Sequence, residues 1–222
     1  MNYLGLTNSF LIETGVSDQV ASLVGAPDDV AQAAHWINSA WASFQRSRLW
    51  PFRRAEGTVS VTPGTVSYTF STLGRAEGDI IIPHSFYSAL GDITQVPYTS
   101  LRARRRAGGV VDTSRVSNAS IRSGKLETFP DVDAADTVAY DYWTGVQTLT
   151  LGTDIPYGLP ADFHSLIVHL AIAKYAALAG GQEGANLYAH HGGEYARIRN
   201  EYILHAGLDD ETDTTPARNT LL

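Results

Sequence analysis

"LPADFHSLIVHLAIAKYAALAGG", residues 159–181, is the stretch around which the rest of this chain is organised. Phe163, Leu166, Ile167, Leu170, Ala171, Ala177 and Leu178 fall on one helical stripe, and Val168, Ile172 and Tyr175 fall on a second. A helix that is apolar on two sides packs between neighbours, so the stretch predicts a central core helix. Pro160 and Asp162 mark its start, and Gly180-Gly181 marks its end. Three polar residues, His164, His169 and Lys174, invite a chemical reading instead. The two histidines, however, lie about 140° apart on the helix, whereas a shared metal needs i, i+4 spacing. They are expected to be satisfied polar groups in the core or to sit at a subunit contact.

On the C-terminal side a second helix is expected from about Gly184 to His205, with Leu187, Tyr188, His191, Tyr195, Ile198 and Tyr202 at helical spacing. Gly192-Gly193 weakens it by about 1 kcal/mol per glycine. Far upstream, "PDDVAQAAHWINSAWASFQRSRLW" places Val30, Ala33, Ala34, Ile37, Trp41 and Phe44 on one face of an amphipathic helix. Pro27, Asp28 and Asp29 suit its start, and Arg46 and Arg48 suit its end. A shorter helical piece is expected over Ser9 to Thr14, stopping at Gly15.

Between these helices the period changes from 3.6 to 2. "TVSVTPGTVSYTF" alternates Val59, Val61, then Val66, Tyr68 and Phe70 around Pro63-Gly64, which predicts a β-hairpin. "DIIIPHSFY" (79–87) reads as a short buried strand ended by Pro83, and "SGKLETFP" and "TVAYDYWTG" read as two more, joined by the acidic loop Asp131 to Asp136. "TSLRARRRAGG" also alternates, and as a strand it would put Arg102, Arg104 and Arg106 on one face. The order is therefore helix, β block, two helices and a tail, an α+β chain without a fixed-period repeat. The last stretch, "LDDETDTTPARNTLL", has no periodicity and is expected to be extended.

Composition narrows the function. The 222 residues are 44% hydrophobic, enough for a core, and carry a formal charge of −7, which argues against wrapping nucleic acid or binding an anionic membrane. The absence of cysteine removes disulfides, thiolate nucleophiles and Cys-ligated zinc. The first residues lack a signal-peptide pattern and no run is long enough for a membrane span, so synthesis in the cytoplasm is expected. There is no G-x-S-x-G, phosphate-cradling glycine loop or calcium loop, and the serines and threonines of "GVVDTSRVSNAS" have no His/Asp partner in register. His190 and His191 pair with Glu194 at i, i+4 and i, i+3, but two ligands at a time fall short of a site. No catalytic residue, metal or cofactor is expected. The arginines Arg102, Arg104, Arg105 and Arg106 read either as a solvated face or as a docking patch for an acidic partner. Trp36, about 120° off the apolar stripe of its helix, is a candidate interface residue.

Several of these stretches together resemble the tailed-bacteriophage head-to-tail adaptor, or connector, family. The first is "WINSAWASFQ" leading to "WPF". The second is the order of "LETFPDVDAADTVAYDYW", "DIPYGLPADFHSLIVHLAIAKYAALAGG" and "LYAHHGGEYARIRNEY". The resemblance implies a helical bundle domain over 1–53 and 159–207, a β-rich insertion over 54–158 and an extended C-terminal tail over 208–222. It also implies a non-enzymatic virion protein at the neck. There, identical subunits, usually twelve, form a ring under the portal protein, extend the DNA channel without sequence-specific contacts and dock tail or nozzle proteins. Twelve chains of −7 each would carry about −84 formal charges, and a negative wall lets DNA slide. The tail residues Leu208, Asp209, Asp210, Arg218, Leu221 and Leu222 match the segment that orders against the portal in that family. A tail terminator or stopper is a competing reading that predicts a β-dominated chain; a hydrolase or carbohydrate-binding module would need a concave pocket in the β block.

Overall fold

A computed structural model describes residues 1–69, 79–108 and 112–208. Among them the chain is mixed α+β, with five α-helices and two sheets. It divides into two compact units. One comprises Met1–Phe52 and the described residues from Val146 onward, and the other comprises Arg53–Gly145.

The helical unit is built around α4 (Ser165–Ala179), which packs against α1 (Tyr3–Thr14), α2 (Asp28–Ser47) and α5 (Gly181–His205). Both predicted faces of α4 are used over most of its length: Leu166, Ile167 and Ala171 are buried, and so are Val168 and Ile172, but Ala177 and Leu178 at the end of the first stripe are exposed. Tyr175 closes the second face edge-on against Phe10 and Trp36. The predicted stripe of α2, Val30, Ala33, Ala34, Ile37, Trp41 and Phe44, is buried throughout. α1 begins six residues earlier than its apolar run suggested. Asn2 caps it, accepting from the Gly5 amide at 2.9 Å, and Tyr3 and Leu6 join Phe10 and Leu11 in the core. At the exit of α2, Trp41, Phe44, Trp50 and Phe52 form a stack, with Phe44 and Trp50 centroids 4.4 Å apart. The Trp50 Nε1–H donates to the Phe44 carbonyl at 2.7 Å, so the buried indole is satisfied.

Gly180 and Gly181, both at positive φ, turn α4 into α5. One turn further, a Cβ on Gly184 would lie 2.9 Å from the Ala176 carbonyl, so only glycine allows this approach. α5 continues through Gly192 and Gly193, whose Cβ positions face open space.

Residues 146–158 belong to this helical unit and not to the β block, which ends at Gly145. The cause is a pair of side-chain amides on α2. Asn38 donates to the Leu149 carbonyl (2.8 Å) and accepts from its amide (2.9 Å); Gln45 does the same for Gln147 (3.0 and 2.9 Å). Each amide side chain thus serves an extended segment as a neighbouring strand would. The segment in turn accepts from the first amides of α1, at Asp154 (2.7 Å) and Gly152 (3.0 Å).

In the β unit, β1 (Arg54–Val61) pairs antiparallel with β9 (Asp136–Trp143) over eight residues, and β3 (Ile80–Ile81), β4 (Tyr87–Ser88) and β5 (Gly91–Asp92) complete that sheet. The second sheet runs β2 (Ser67–Thr69), β8 (Lys125–Phe129), β7 (Asn118–Arg122), β6 (Thr94–Gln95), with β6 parallel to β7. Three expectations are corrected in this unit. The turn at Pro63-Gly64 forms, with Thr65 N–H on the Thr62 carbonyl, but β1 and β2 do not pair; the chain changes sheet there. The longer antiparallel match of β1 to β9 buries Val59, Val61, Val138 and Tyr140, which three residues of β2 cannot rival. Phe70 lies outside the described residues.

The arginine run is helix α3 (Tyr98–Ala107) and not a strand. Leu, Arg and Ala are strong helix formers, Pro97 precedes the first residue, and Gly108 at positive φ ends the helix. "DIIIPHSFY" is split rather than continuous: Ile81 is buried, Ile80 is exposed, and the chain bends at Pro83-His84 before resuming as β4.

Candidate functional surfaces and a three-helix histidine cluster

The helix at 98–107 redistributes its four arginines. Leu101 and Arg105, at i and i+4, both face the second sheet. Arg105 donates to Glu127 Oε2 (3.0 Å) and to the carbonyls of Thr128 (2.8 Å) and Val66 (3.1 Å), tying β8 to the residue that leads into β2. Arg104 reaches Asn118 Oδ1 at 2.9 Å on β7. Arg102 and Arg106, again at i and i+4, are exposed and line a shallow groove with Thr99, Ala103 and Ala107. Arg105 is therefore an inward tie, Arg104 is exposed but bonded to β7, and Arg102 and Arg106 are displayed.

Trp36 is half-buried rather than displayed, packed edge-on between Tyr175 and His35. Leu208 lies just past α5, its amide bonded to the Ile203 carbonyl at 3.0 Å, and it packs on the helical core. Asp209, Asp210, Arg218, Leu221 and Leu222 lie outside the described residues. A more conspicuous apolar surface is the loop after Gln147. Leu151, Ile155 and Tyr157 are 62%, 58% and 66% exposed. The loop is stiffened by Asp154, whose carboxylate accepts from the Thr150 (2.7 Å) and Leu151 (2.8 Å) amides. Those amides hold the Asp154 pKa below the usual carboxylate value.

Of the polar residues on the central helix, His164 is a core group: it is buried, and its Nε2 meets the Leu159 carbonyl at 2.8 Å. Lys174 reaches α2, bonding the Ser39 carbonyl (3.3 Å) and the Ser43 hydroxyl. His169 behaves differently. It meets His191 of α5, with the two Nδ1 atoms 2.9 Å apart, and Glu13 of α1 brings Oε2 to 3.9 Å and 3.6 Å from them. Burial lowers the pKa of both histidines, so both are neutral near pH 7. At 2.9 Å one imidazole must donate its Nδ1–H to the lone pair of the other.

The spacing argument excluded a metal shared by His164 and His169, and His164 indeed takes no part; the group around His169 is a different one, Glu13, His169 and His191. The partners come from three helices, not from one helix face. The pairing foreseen between His190 or His191 and Glu194 is not what gathers: Glu194 is engaged by Arg197 at 3.0 and 2.8 Å, and His190 is exposed, its ring edge-on to His191. A signal was available. His169 and His191 lie eleven residues before Gly180 and ten after Gly181, so an antiparallel helix pair turned at that dipeptide brings them opposite each other, as it brings Ala176 to Gly184.

Among the described residues no helix is long and apolar enough to cross a membrane. A search of curated proteins finds no match to the chain. A family model described as "SU10 adaptor protein" matches residues 1–220, in agreement with the resemblance to phage head-to-tail adaptors carried by both helical ends. Since that match spans both units and all five helices, the chain belongs to the SU10 adaptor protein family, a family of phage adaptors.

Proposed function

We propose that this phage adaptor is a non-enzymatic structural protein of the virion neck. It forms a ring of identical subunits, twelve by family resemblance, under the portal, extends the DNA channel without reading sequence, and offers the surface on which tail or nozzle proteins dock. The observation that carries this reading is the family match over 1–220. The stiffened apolar loop supports it: Leu151, Ile155 and Tyr157 expose large side chains on a backbone already fixed by Asn38, Gln45 and Asp154, so little entropy is lost when a neighbouring copy covers them. The tail after Leu208 is assigned to the portal.

Electron microscopy of the full chain mixed with portal protein tests the reading. A closed ring seated on the portal is expected, and a chain that stays monomeric with portal present overturns it. The double substitution Leu151→Ser with Tyr157→Ser should abolish the ring while leaving the helical circular dichroism intact. A chain ending at Leu208 should still fold and form rings but lose portal binding. Unchanged portal binding by that truncated chain removes the anchoring role of the tail.

A further inference from the structure

We propose that Glu13, His169 and His191 form a binding site for a zinc-class divalent cation that clips α1, α4 and α5 together. The donor atoms lie within 4.8 Å of one another and come from three separate helices of the same unit. Two imidazole nitrogens and one carboxylate oxygen suit Zn²⁺ and its first-row neighbours; Mg²⁺ and Ca²⁺ take oxygen ligands.

The distances fit with small adjustments. Zn–N and Zn–O bonds of about 2.0–2.2 Å in a tetrahedron put ligand atoms about 3.3–3.5 Å apart. The observed separations are 2.9, 3.6 and 3.9 Å, which straddle that value and need shifts of a few tenths of an ångström. The His169 and His191 side chains are 17% and 6% exposed and held between helices, whereas Glu13 is 37% exposed and free to swing inward. The same exposure gives the ion an entry path and leaves its fourth position for water.

The arrangement is also incomplete as a set of hydrogen bonds. One proton shared between two Nδ1 atoms satisfies the pair, and Glu13 then faces both nitrogens from beyond hydrogen-bonding distance with no proton directed at it. A dication in place of that proton would accept both lone pairs and meet the carboxylate charge, the donor imidazole carrying its single proton on Nε2 instead of Nδ1. The site lies away from the exposed loop at 151–157 in sequence, and its presence or absence is independent of the ring reading.

The test uses the full chain, stripped with a chelator and titrated with Zn²⁺ by calorimetry, with bound metal counted by mass spectrometry. One ion per chain is expected, together with a Tm that rises with free zinc, and Co²⁺ should give the visible bands of a tetrahedral site. Glu13→Gln keeps the shape of a half-exposed side chain and should weaken binding at least tenfold while leaving the metal-free Tm unchanged. His169→Ala should weaken it further. His190→Ala, which removes an exposed neighbour outside the ligand set, should stay within twofold of the parent. Unchanged affinity in Glu13→Gln, loss of binding in His190→Ala, or the absence of saturable one-to-one binding would each overturn the site. Should His169→Ala fail to fold, the Glu13→Gln and His190→Ala pair still decides the question.

Discussion

In the helical unit α2 by itself runs twenty residues and buries an unbroken apolar stripe, whereas among the described strands of the β unit only β1 and β9 exceed five residues. The difference changes what holds each unit together. Long helices gather large side chains into one cluster, and the stack of Trp41, Phe44, Trp50 and Phe52 is continuous with Tyr202 of α5. Short strands bury less per element, so the β unit depends on ties that cross between them, above all Arg105 from α3. Removing a stacked ring should therefore injure the first unit most, and removing a polar tie should injure the second.

The largest expected effect is from Trp50→Ala. Its ring is fully buried against Phe44 and Tyr202, and deleting it leaves a cavity and removes one of the two hydrogen bonds on the Phe44 carbonyl, the other coming from the Ser47 hydroxyl. The cost should be about 3–5 kcal/mol in urea unfolding. Trp36, Trp41 and Trp50 belong to the helical unit and Trp143 to the β unit, so a Trp143→Phe background lets fluorescence follow the helical unit alone. A loss under about 1 kcal/mol would remove the stack as the main support of that unit.

Arg105→Met comes next. It retains an apolar stem but removes donors to Glu127 and to the carbonyls of Thr128 and Val66, at a cost of about 2–3 kcal/mol. Hydrogen exchange should accelerate across 66–69 and 125–129, with the amides of α2 and α4 unchanged. Equal acceleration in both units would show that their stabilities are not separable in this way.

This contrast also explains what could be read in advance. α4 was legible because two apolar stripes on one helix leave little solvent face, although its last turn, with Ala177 and Leu178, is exposed, and α2 because its stripe is long enough to average out exceptions. α3 was misread because alternation of Arg with Leu or Ala over a few residues imitates a strand. Its informative pair was Leu101 with Arg105, four apart and both turned inward, and nothing marks an arginine in sequence as inward-facing. The attachment of 146–158 was hidden for a similar reason: Asn38 and Gln45 look like the polar side of α2 until their amides are seen to serve the backbone at 147 and 149. The sheet change at Pro63-Gly64 was hidden because a turn signal specifies a reversal and not the strand that the chain will meet next.

A smaller effect separates the units by pH. Six of the seven histidines lie in the helical unit, and burial depresses the pKa of His164, His169 and His191. Below the ordinary value of 6.5 the unfolded chain binds protons that the folded unit resists. The stability contribution is thus intact above 6.5 and is lost as pH falls through the lower folded-state values. Each of these histidines adds a slope of at most about 1.4 kcal/mol per pH unit. The β unit has only His84, which is exposed, so its transition should move much less between pH 7.5 and 5.5. Urea midpoints followed by Trp143 and by the other tryptophans at both pH values check this, and parallel shifts would break the contrast.

The smallest expected effect sharpens the reading of the arginine helix itself. Arg102→Ala and Arg106→Ala remove side chains that are exposed along the groove beside Thr99, Ala103 and Ala107. Alanine is at least as good a helix former, and no described sheet group depends on either side chain, so each change should leave stability within about 0.5 kcal/mol. The same pair of substitutions removes two displayed charges from an otherwise acidic chain. If these arginines serve a partner, binding to an acidic surface should weaken and its association rate should lose part of its salt dependence, with no change in Tm. A drop in Tm comparable to that of Arg105→Met would instead place all four arginines in the same structural role, and the division between inward ties and outward charges on α3 would be lost.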